Sequence, residues 1–317
     1  MSYIYDTIIL GGGPAGLAAG LYAGRSKMKT LLIEKGKFGG QTATTAELDN
    51  YPGSILDCTG PGIIERMRQQ AEEFGTTFVK DEVVEIELDG TIKVVKTIKD
   101  VYRAKTIIIA TGAQPRLAGF EKELELRGRG VSYCATCDAD FFTELEVAVI
   151  GGGDSAIDEA IYLTRFADKV TVVHRRDQFR ANKSLVEKAK ANPKMNFIYD
   201  SVVVEAKGDE ILEGLVLKNV KTGELSELTV DGCFVFVGFL PISELFKGKI
   251  EMTERGDIIT DADMRCSVPG VFAAGDVRDK SLRQVITAAA DGAIAATTAE
   301  KYIEANVEMF KEAEALV

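Results

Sequence analysis

The chain is poor in the residues that build most metal centres and most secreted scaffolds. It has one histidine, His174, in 317 residues, so a His-rich zinc site or a Cys-His catalytic dyad has to run through that single side chain. Five cysteines are too few for a secreted disulfide framework, and the odd count leaves at least one thiol unpaired. A reducing, cytoplasmic setting is expected. No stretch reaches the roughly 18 consecutive apolar residues of a membrane span, and no basic segment followed by a long apolar run opens the chain. A soluble, unexported protein is predicted. Positive charge is in deficit: 38 Lys and Arg against 49 Asp and Glu leave a net −11, a repulsive field for a nucleic-acid backbone. The compositional mark of disorder is missing too, since 46% of residues are hydrophobic and 27% charged. At about 150 residues per domain, the length points to two domains.

What the sequence does contain is an internal repeat. Thr7 to Leu10 is a short apolar run, followed by Gly11-Gly12-Gly13-Pro14-Ala15-Gly16, an Ala/Leu-rich helical stretch to about Ser26, and an apolar strand Thr30 to Ile33 ending in Glu34. The same order returns 140 positions later: Glu146 to Ile150, Gly151-Gly152-Gly153-Asp154-Ser155-Ala156, a helix through Phe166, and the strand Val170 to Val173 ending in His174. Tyr22 even falls on Tyr162. A single G-x-G-x-x-G motif is weak, but its place between strand and helix, twice in register, predicts two dinucleotide-binding turns. Gly11 and Gly151 suit the tight turn, Gly13 and Gly153 let the backbone approach a pyrophosphate, and Gly16 or Ala156 allows close helix–strand packing. Free N–H groups at the helix start then face the anion.

The differences between the copies separate their ligands. Glu34 stands 18 positions after Gly16, where a carboxylate accepts hydrogen bonds from an unphosphorylated adenosine ribose. The second copy places His174 there, followed by Arg175 and Arg176, with Arg180 a helical turn further on. Cations in place of a carboxylate suit a 2′-phosphate. The first turn therefore fits FAD and the second NADPH.

Both halves close alike. Thr106 to Ala110 ends at Thr111-Gly112-Ala113-Gln114-Pro115, and Cys233 to Val237 ends at Gly238-Phe239-Leu240-Pro241; these are the expected crossovers between domains. Val271 to Ala274 reads as a buried strand ending in Gly275-Asp276, and at a strand's carboxyl end in an open α/β sheet this pair is a candidate ligand contact. A long helical pattern follows from Arg283 to about Ala305, and the Glu/Ala-rich tail reads as an exposed helix.

Between the two repeats lies Cys134-Ala135-Thr136-Cys137-Asp138. Beside βαβ patterns in an intracellular chain, C-x-x-C reads first as a redox pair. Half of a zinc site is the other reading, but Cys58, Cys233 and Cys266 are scattered singly and offer no second pair, so no metal is expected.

The sequence resembles the low-molecular-weight bacterial thioredoxin reductases along essentially its whole length. The resemblance is carried by Gly11 to Gly16, Gly39-Gly40-Gln41, Asn50-Tyr51-Pro52-Gly53, Ala110-Thr111-Gly112, Cys134 to Asp138, Gly151 to Ala156, His174-Arg175-Arg176 with Arg180, and Gly275-Asp276 followed by Arg283-Gln284-Val285. It implies an α/β fold of two Rossmann-like three-layer nucleotide-binding domains, the second inserted into the first: a discontinuous FAD domain (1–113 and 244–317) and an NADPH domain (114–243). It also implies a homodimer. Cys137 is then the thiol nearest the flavin, Cys134 the one that meets the partner's disulfide, and Asp138 the acid that protonates the departing thiolate. Gly40, Gln41 and Asn50 line the flavin, and Arg283, Gln284 and Val285 open a helix whose positive end faces the reduced ring. The chain departs from the usual Cys-Asp-Gly at Ala139, followed by Asp140, and from G-x-x-P-N at Ile242.

The expected activity is electron transfer from NADPH to FAD, then to Cys134–Cys137, then to thioredoxin. Because the nicotinamide site and the cysteine pair both lie in the inserted domain and must reach one flavin, a domain rotation between the half-reactions is expected. The alternatives are a related reductase with another donor or a thioredoxin-like partner, and a non-catalytic FAD-binding redox sensor.

Overall fold

The computed structural model describes residues 3–44, 48, 50–55 and 58–315. The chain divides into two compact units, Met1–Gln114 with Leu240–Val317, and Pro115–Phe239.

The first unit opens with β1 (Ile4–Leu10), α1 (Pro14–Arg25) and β2 (Thr30–Glu34), then α2 (Gly60–Glu73), β3 (Thr77–Lys80), β4 (Val83–Glu87), β5 (Lys93–Thr97) and β6 (Val101–Ile109). β1 lies between β2 and β6, parallel to both, with Ile8 opposite Leu31 and Ile107. β4 and β5 continue the sheet as antiparallel strands.

The chain leaves through β7 (Ala113–Pro115). The second unit carries β8 (Val131–Ser132), α3 (Ala135–Asp138), β9 (Glu146–Gly151), α4 (Asp154–Leu163), β10 (Lys169–Val173), α5 (Lys183–Lys190), β11 (Met195–Ile198), β12 (Ser201–Lys207), β13 (Gly214–Asn219), β14 (Leu225–Leu228) and β15 (Gly232–Phe236). Its parallel sheet has the order β11-β10-β9-β15-β8, and β12 to β14 form a separate antiparallel sheet. β16 (Phe239–Pro241) pairs with β7, so the two connections run side by side. The chain then completes the first unit with β17 (Val271–Ala273), paired parallel to β6, and with α6 (Val285–Ala305) and α7 (Val307–Glu314).

Successive side chains of a strand point to opposite faces, so a sheet covered on both faces needs unbroken apolar runs. β1 shows why. Ile9 packs with Leu17, Ile108, Phe272 and Ala295 under the helices, while Ile8 and Leu10 pack on the other face with Ile86, Val95 and Phe246. The second unit repeats the arrangement. Val147 and Val149 face Ile157 and Leu163 of α4, whereas Ala148 and Ile150 face Val203, Leu215 and Leu217 of the antiparallel sheet. Each unit is thus a Rossmann-like sandwich in which one strand, β1 or β9, ends at its carboxyl edge in a glycine turn.

Candidate active site

In the first unit β1 is tied to β6 right up to the turn, Ala110 N donating to Leu10 O at 2.8 Å. Gly11 then takes φ +106°, and a Cβ there would lie 2.4 Å from the Ala110 carbonyl oxygen; a Cβ on Gly16 would lie 1.9 Å from Gly11 O. Only glycine fits either place. At Gly13 a Cβ would meet nothing within 4 Å, so the side facing the start of α1 is open to a ligand. Pro14 occupies the first helical position, Ala15 follows, and Gly13 caps the helix without a side-chain bond. The first-turn amides of α1 therefore remain for an anion.

Glu34 is fixed from both sides, Oε2 accepting Gly12 N and Oε1 accepting Gly36 N, each at 2.7 Å. Each of its oxygens keeps a further lone pair, which would suit the hydroxyls of a ribose. Gly40 takes φ +55°, and the Gln41 amide donates to the Ala113 carbonyl. Asn50 Nδ2 donates to Gln284 Oε1 at 3.1 Å, which brings a loop of the amino-terminal part to the cap of α6. Thr111 Oγ1 donates to Ile242 O at 2.6 Å, and Ile242 N to Gly112 O at 2.9 Å.

Gly275 follows β17 and abuts the first turn of α1, where its own Cβ would come 2.8 Å from that of Ala15. Asp276, next to it, has a buried Oδ1 with no hydrogen-bond partner among the described residues. Burial pushes its carboxyl above the ordinary range, opposed by Lys280 and Arg283 and reinforced by Asp291. A buried acceptor left bare beside a glycine turn and an uncapped helix fits a hydroxyl-bearing, phosphate-bearing cofactor such as FAD. Arg283, one residue before the Gln284 cap and two before Val285, donates to Asp257 at 3.0 Å and keeps a buried Nε without partner.

Asp291, which sequence reasoning missed, organises this edge. Its Oδ2 accepts from Arg278 at 2.9 Å, Lys280 at 2.7 Å and Gly275 N at 3.0 Å. The available signal was an acidic residue on the buried face of an Ala-rich helical pattern.

The second unit builds a similar cradle. A Cβ on Gly151, at φ +154°, would lie 2.5 Å from Phe236 O and 2.6 Å from the Ala156 Cβ, and at Gly153 there is open space. α4 starts at Asp154, with Ser155 and Ala156 in its first turn and no side-chain cap. Asp154 Oδ1 accepts Asn182 N at 2.7 Å, and Arg180 N donates to Gly152 O at 2.8 Å. His174 is buried at 5% exposure. Its ring lies against the turn, a Cβ on Gly152 falling 2.2 Å from Nδ1, and its Nε2 pairs with Gln178 O at 3.1 Å. Burial lowers its pKa, and Arg176 and Arg180 push the same way. The structure therefore places His174 under the turn, while Arg175, Arg176 and Arg180 are exposed. No ion pair joins these three to a described carboxylate, an arrangement that fits the extra phosphate of NADPH.

Cys134 and Cys137 form a disulfide with Cα atoms 5.3 Å apart. Cys134 caps α3, and both cysteines are half-buried. Asp138, next in the chain, has its carboxyl pKa raised by burial, against a hydrogen bond from Ser132 and the charge of Arg127. The Ser132 hydroxyl donates to Asp138 Oδ2 at 2.5 Å and accepts Cys134 N at 3.1 Å. Tyr133 anchors the same segment, its hydroxyl donating to buried Glu123 at 2.8 Å with the Arg127 guanidinium 5.1 Å above its ring. Ser132, Tyr133 and Glu123 were not singled out from sequence. A serine and a tyrosine before a C-x-x-C carry no pattern of their own.

Cys58 and Cys233 are free and buried, and Cys266 is free and half-buried; burial pushes the Cys266 thiol up to about 12. Among the described residues no group of three or more His, Cys, Asp or Glu gathers as a metal site, and no helix is long and apolar enough to cross a membrane.

Residues 5–292 match the pyridine nucleotide-disulphide oxidoreductase family. The chain is 58% identical over 314 residues to a thioredoxin reductase of Peptoclostridium acidaminophilum, covering 97% of this chain and 100% of that protein. It is 56% identical over 318 residues to the thioredoxin reductase of Peptoclostridium litorale, covering 98% and 100%. Among solved structures, the thioredoxin reductase of Streptococcus pyogenes MGAS5005 is similar at a TM-score of 0.91 and 47% identity, covering 96% of this chain and 100% of that one.

Proposed function

The chain belongs to the thioredoxin reductases within the pyridine nucleotide-disulphide oxidoreductase family, and from that premise we propose that it reduces the disulfide of thioredoxin through Cys134 and Cys137. The observation that carries the reading is a disulfide with a buried carboxyl of raised pKa in the same turn, in a chain with two glycine-turn cradles. FAD and NADPH are the cofactors. When bound, they supply the two electrons that open the Cys134–Cys137 disulfide. Gly11, Gly13, Gly16, Glu34 and Asp276 would hold FAD, and Gly151, Gly153 and the three arginines NADPH.

The rest is the work of this chain's own residues. The Cys134 thiolate attacks one sulfur of the partner's disulfide; that S–S bond breaks, and its electron pair leaves on the other sulfur as a thiolate. Asp138, kept protonated to higher pH by burial, gives its proton to that thiolate. The Cys137 thiolate then attacks Cys134 Sγ, which restores the intramolecular disulfide and frees the partner's second thiolate. Because the cysteines and the arginines belong to one unit and the flavin cradle to the other, each half-reaction requires a different group to reach the flavin, and the paired connections β7 and β16 are the hinge that serves this exchange. We read the protein as a cytoplasmic homodimer. Its acidic charge and three free thiols favour that compartment and disfavour nucleic acid.

Replacing Cys134 by serine tests the assignment. Cys134→Ser should still let NADPH bleach the flavin but should abolish NADPH oxidation driven by oxidised thioredoxin, because the first half-reaction needs no thiol. Normal turnover by the variant would make the pair structural and overturn the proposal.

A further inference from the structure

We infer that Ser132 is the positioning residue for the acid of the exchange: its hydroxyl locks Asp138 Oδ2 to the Cys134 backbone and leaves Oδ1 to carry the transferred proton. The inference rests on the reading of Asp138 as that acid.

Ser132 is itself held firmly. It ends β8, where it pairs with Phe234 of β15, and it is 5% exposed. Its Oγ accepts Cys134 N at 3.1 Å and lies 2.5 Å from Asp138 Oδ2 and 3.3 Å from Cys134 O. One hydroxyl has one proton, so the nearer acceptor, Asp138 Oδ2, takes it. Asp138 N in turn donates to Cys134 O at 3.2 Å. Ser132, Cys134 and Asp138 thus form a closed ring of three bonds around the attacking cysteine, and Oδ1 is the carboxyl oxygen outside it. An unheld carboxyl would present either oxygen, in several orientations. Held by Oδ2, the group offers one oxygen in one direction, which is what proton transfer to a leaving sulfur requires.

The bond also sets the proton's availability. When Asp138 protonates the departing thiolate it becomes a carboxylate, and the Ser132 O–H donates to the charge just created. That hydrogen bond favours the ionised form and so opposes burial. Arg127, from the segment before β8, acts in the same direction as Ser132. From the elements packed on α3, neither Asp154, Asp158 and Glu159 of α4 nor Asp140 of the following turn bonds to Asp138 among the described residues. The other titrating neighbours are the Cys134 and Cys137 thiols of the reduced pair, whose ionisation is coupled to that of Asp138.

The test is the pH dependence of single-turnover oxidation of the reduced, FAD-loaded protein by oxidised thioredoxin. In the native protein the rate should fall on the alkaline side as Asp138 loses its proton. Ser132→Ala removes a stabilising contact to the carboxylate, so that limb should move to higher pH by about one unit, and the plateau should drop several-fold because Oδ1 is no longer aimed. Ser132→Thr keeps the hydroxyl and should return the limb toward its native position. Ser132→Gly removes the same hydroxyl and carries the test should S132A not accumulate. A limb that stays in place in the hydroxyl-less variant, while Asp138→Asn abolishes it, would overturn the positioning role and leave the acid assignment standing. A limb that survives Asp138→Asn would overturn the acid assignment and the inference with it.

Discussion

Arg175 and Arg176 follow the buried His174 at the end of β10, and their guanidinium groups project into solvent with no described carboxylate on them. Glu34 occupies the matching place after β2, with both carboxylate oxygens engaged by backbone amides. This contrast of one anchored anion with free cations is the residue-scale basis for assigning NADPH to the second unit. Replacing Arg175 and Arg176 together by alanine should cost about 3 kcal/mol, or roughly 100-fold in NADPH affinity, by removing charge-assisted bonds to the 2′-phosphate. NADH, which lacks that phosphate, should bind nearly as before. Titrating flavin reduction with each donor checks this, and equal losses for both would contradict the assignment. His174 belongs to a different layer of the same site. Its ring packs under Gly152 and burial lowers its pKa, a position that its register with Glu34 could not reveal.

At the scale of elements, α6 crosses α1 at Gly292, against the first turn that the proposed flavin cradle uses. A Cβ on Gly292, midway along α6, would lie 2.0 Å from Ala15 O and 3.0 Å from Ala19 N. An alanine inside a helix is ordinarily worth up to about 1 kcal/mol over glycine. Here the obstacle is backbone, which cannot rotate away, and overpacking of this kind costs about 1–3 kcal/mol. Gly292→Ala should therefore destabilise the protein on balance, and because Ala15 belongs to the first turn of α1 it should also weaken FAD binding. Thermal unfolding and flavin release measure the two effects; a rise in Tm with unchanged flavin retention would refute the crossing.

The elements differ in how plainly the sequence announces them. β1, β2, β9 and β10 are buried on both faces, and β1 and β9 end in glycine turns, so apolar runs and glycine spacing mark them directly. The sheet β12 to β14 and the pair β4 and β5 carry no such mark, because one face is solvated. Val83-Val84-Glu85-Ile86-Glu87 has a single fully buried position, Ile86. The redox pair and the cradle glycines were legible for the same local reason. Asp291 with Arg278 and Lys280, and Ser132 with Asp138, were not: what each side chain does depends on partners that only folding brings to it.

For the whole molecule, the proposed function makes the chain a conduit: electrons would enter at a cradle in the inserted unit, pass through a flavin held by the other, and leave through Cys134. Neither unit carries all the parts, since the flavin cradle proposed above draws on Gly11, Glu34 and Asp276 while Cys134, Cys137 and the three arginines lie between Pro115 and Phe239. The most direct test follows the flavin's visible absorption under anaerobic conditions while NADPH is added in steps, followed by oxidised thioredoxin. NADPH should bleach the flavin, oxidised thioredoxin should restore its absorption, and one thioredoxin dithiol should appear for each NADPH consumed. A flavin that NADPH bleaches but oxidised thioredoxin leaves bleached would contradict the proposed function.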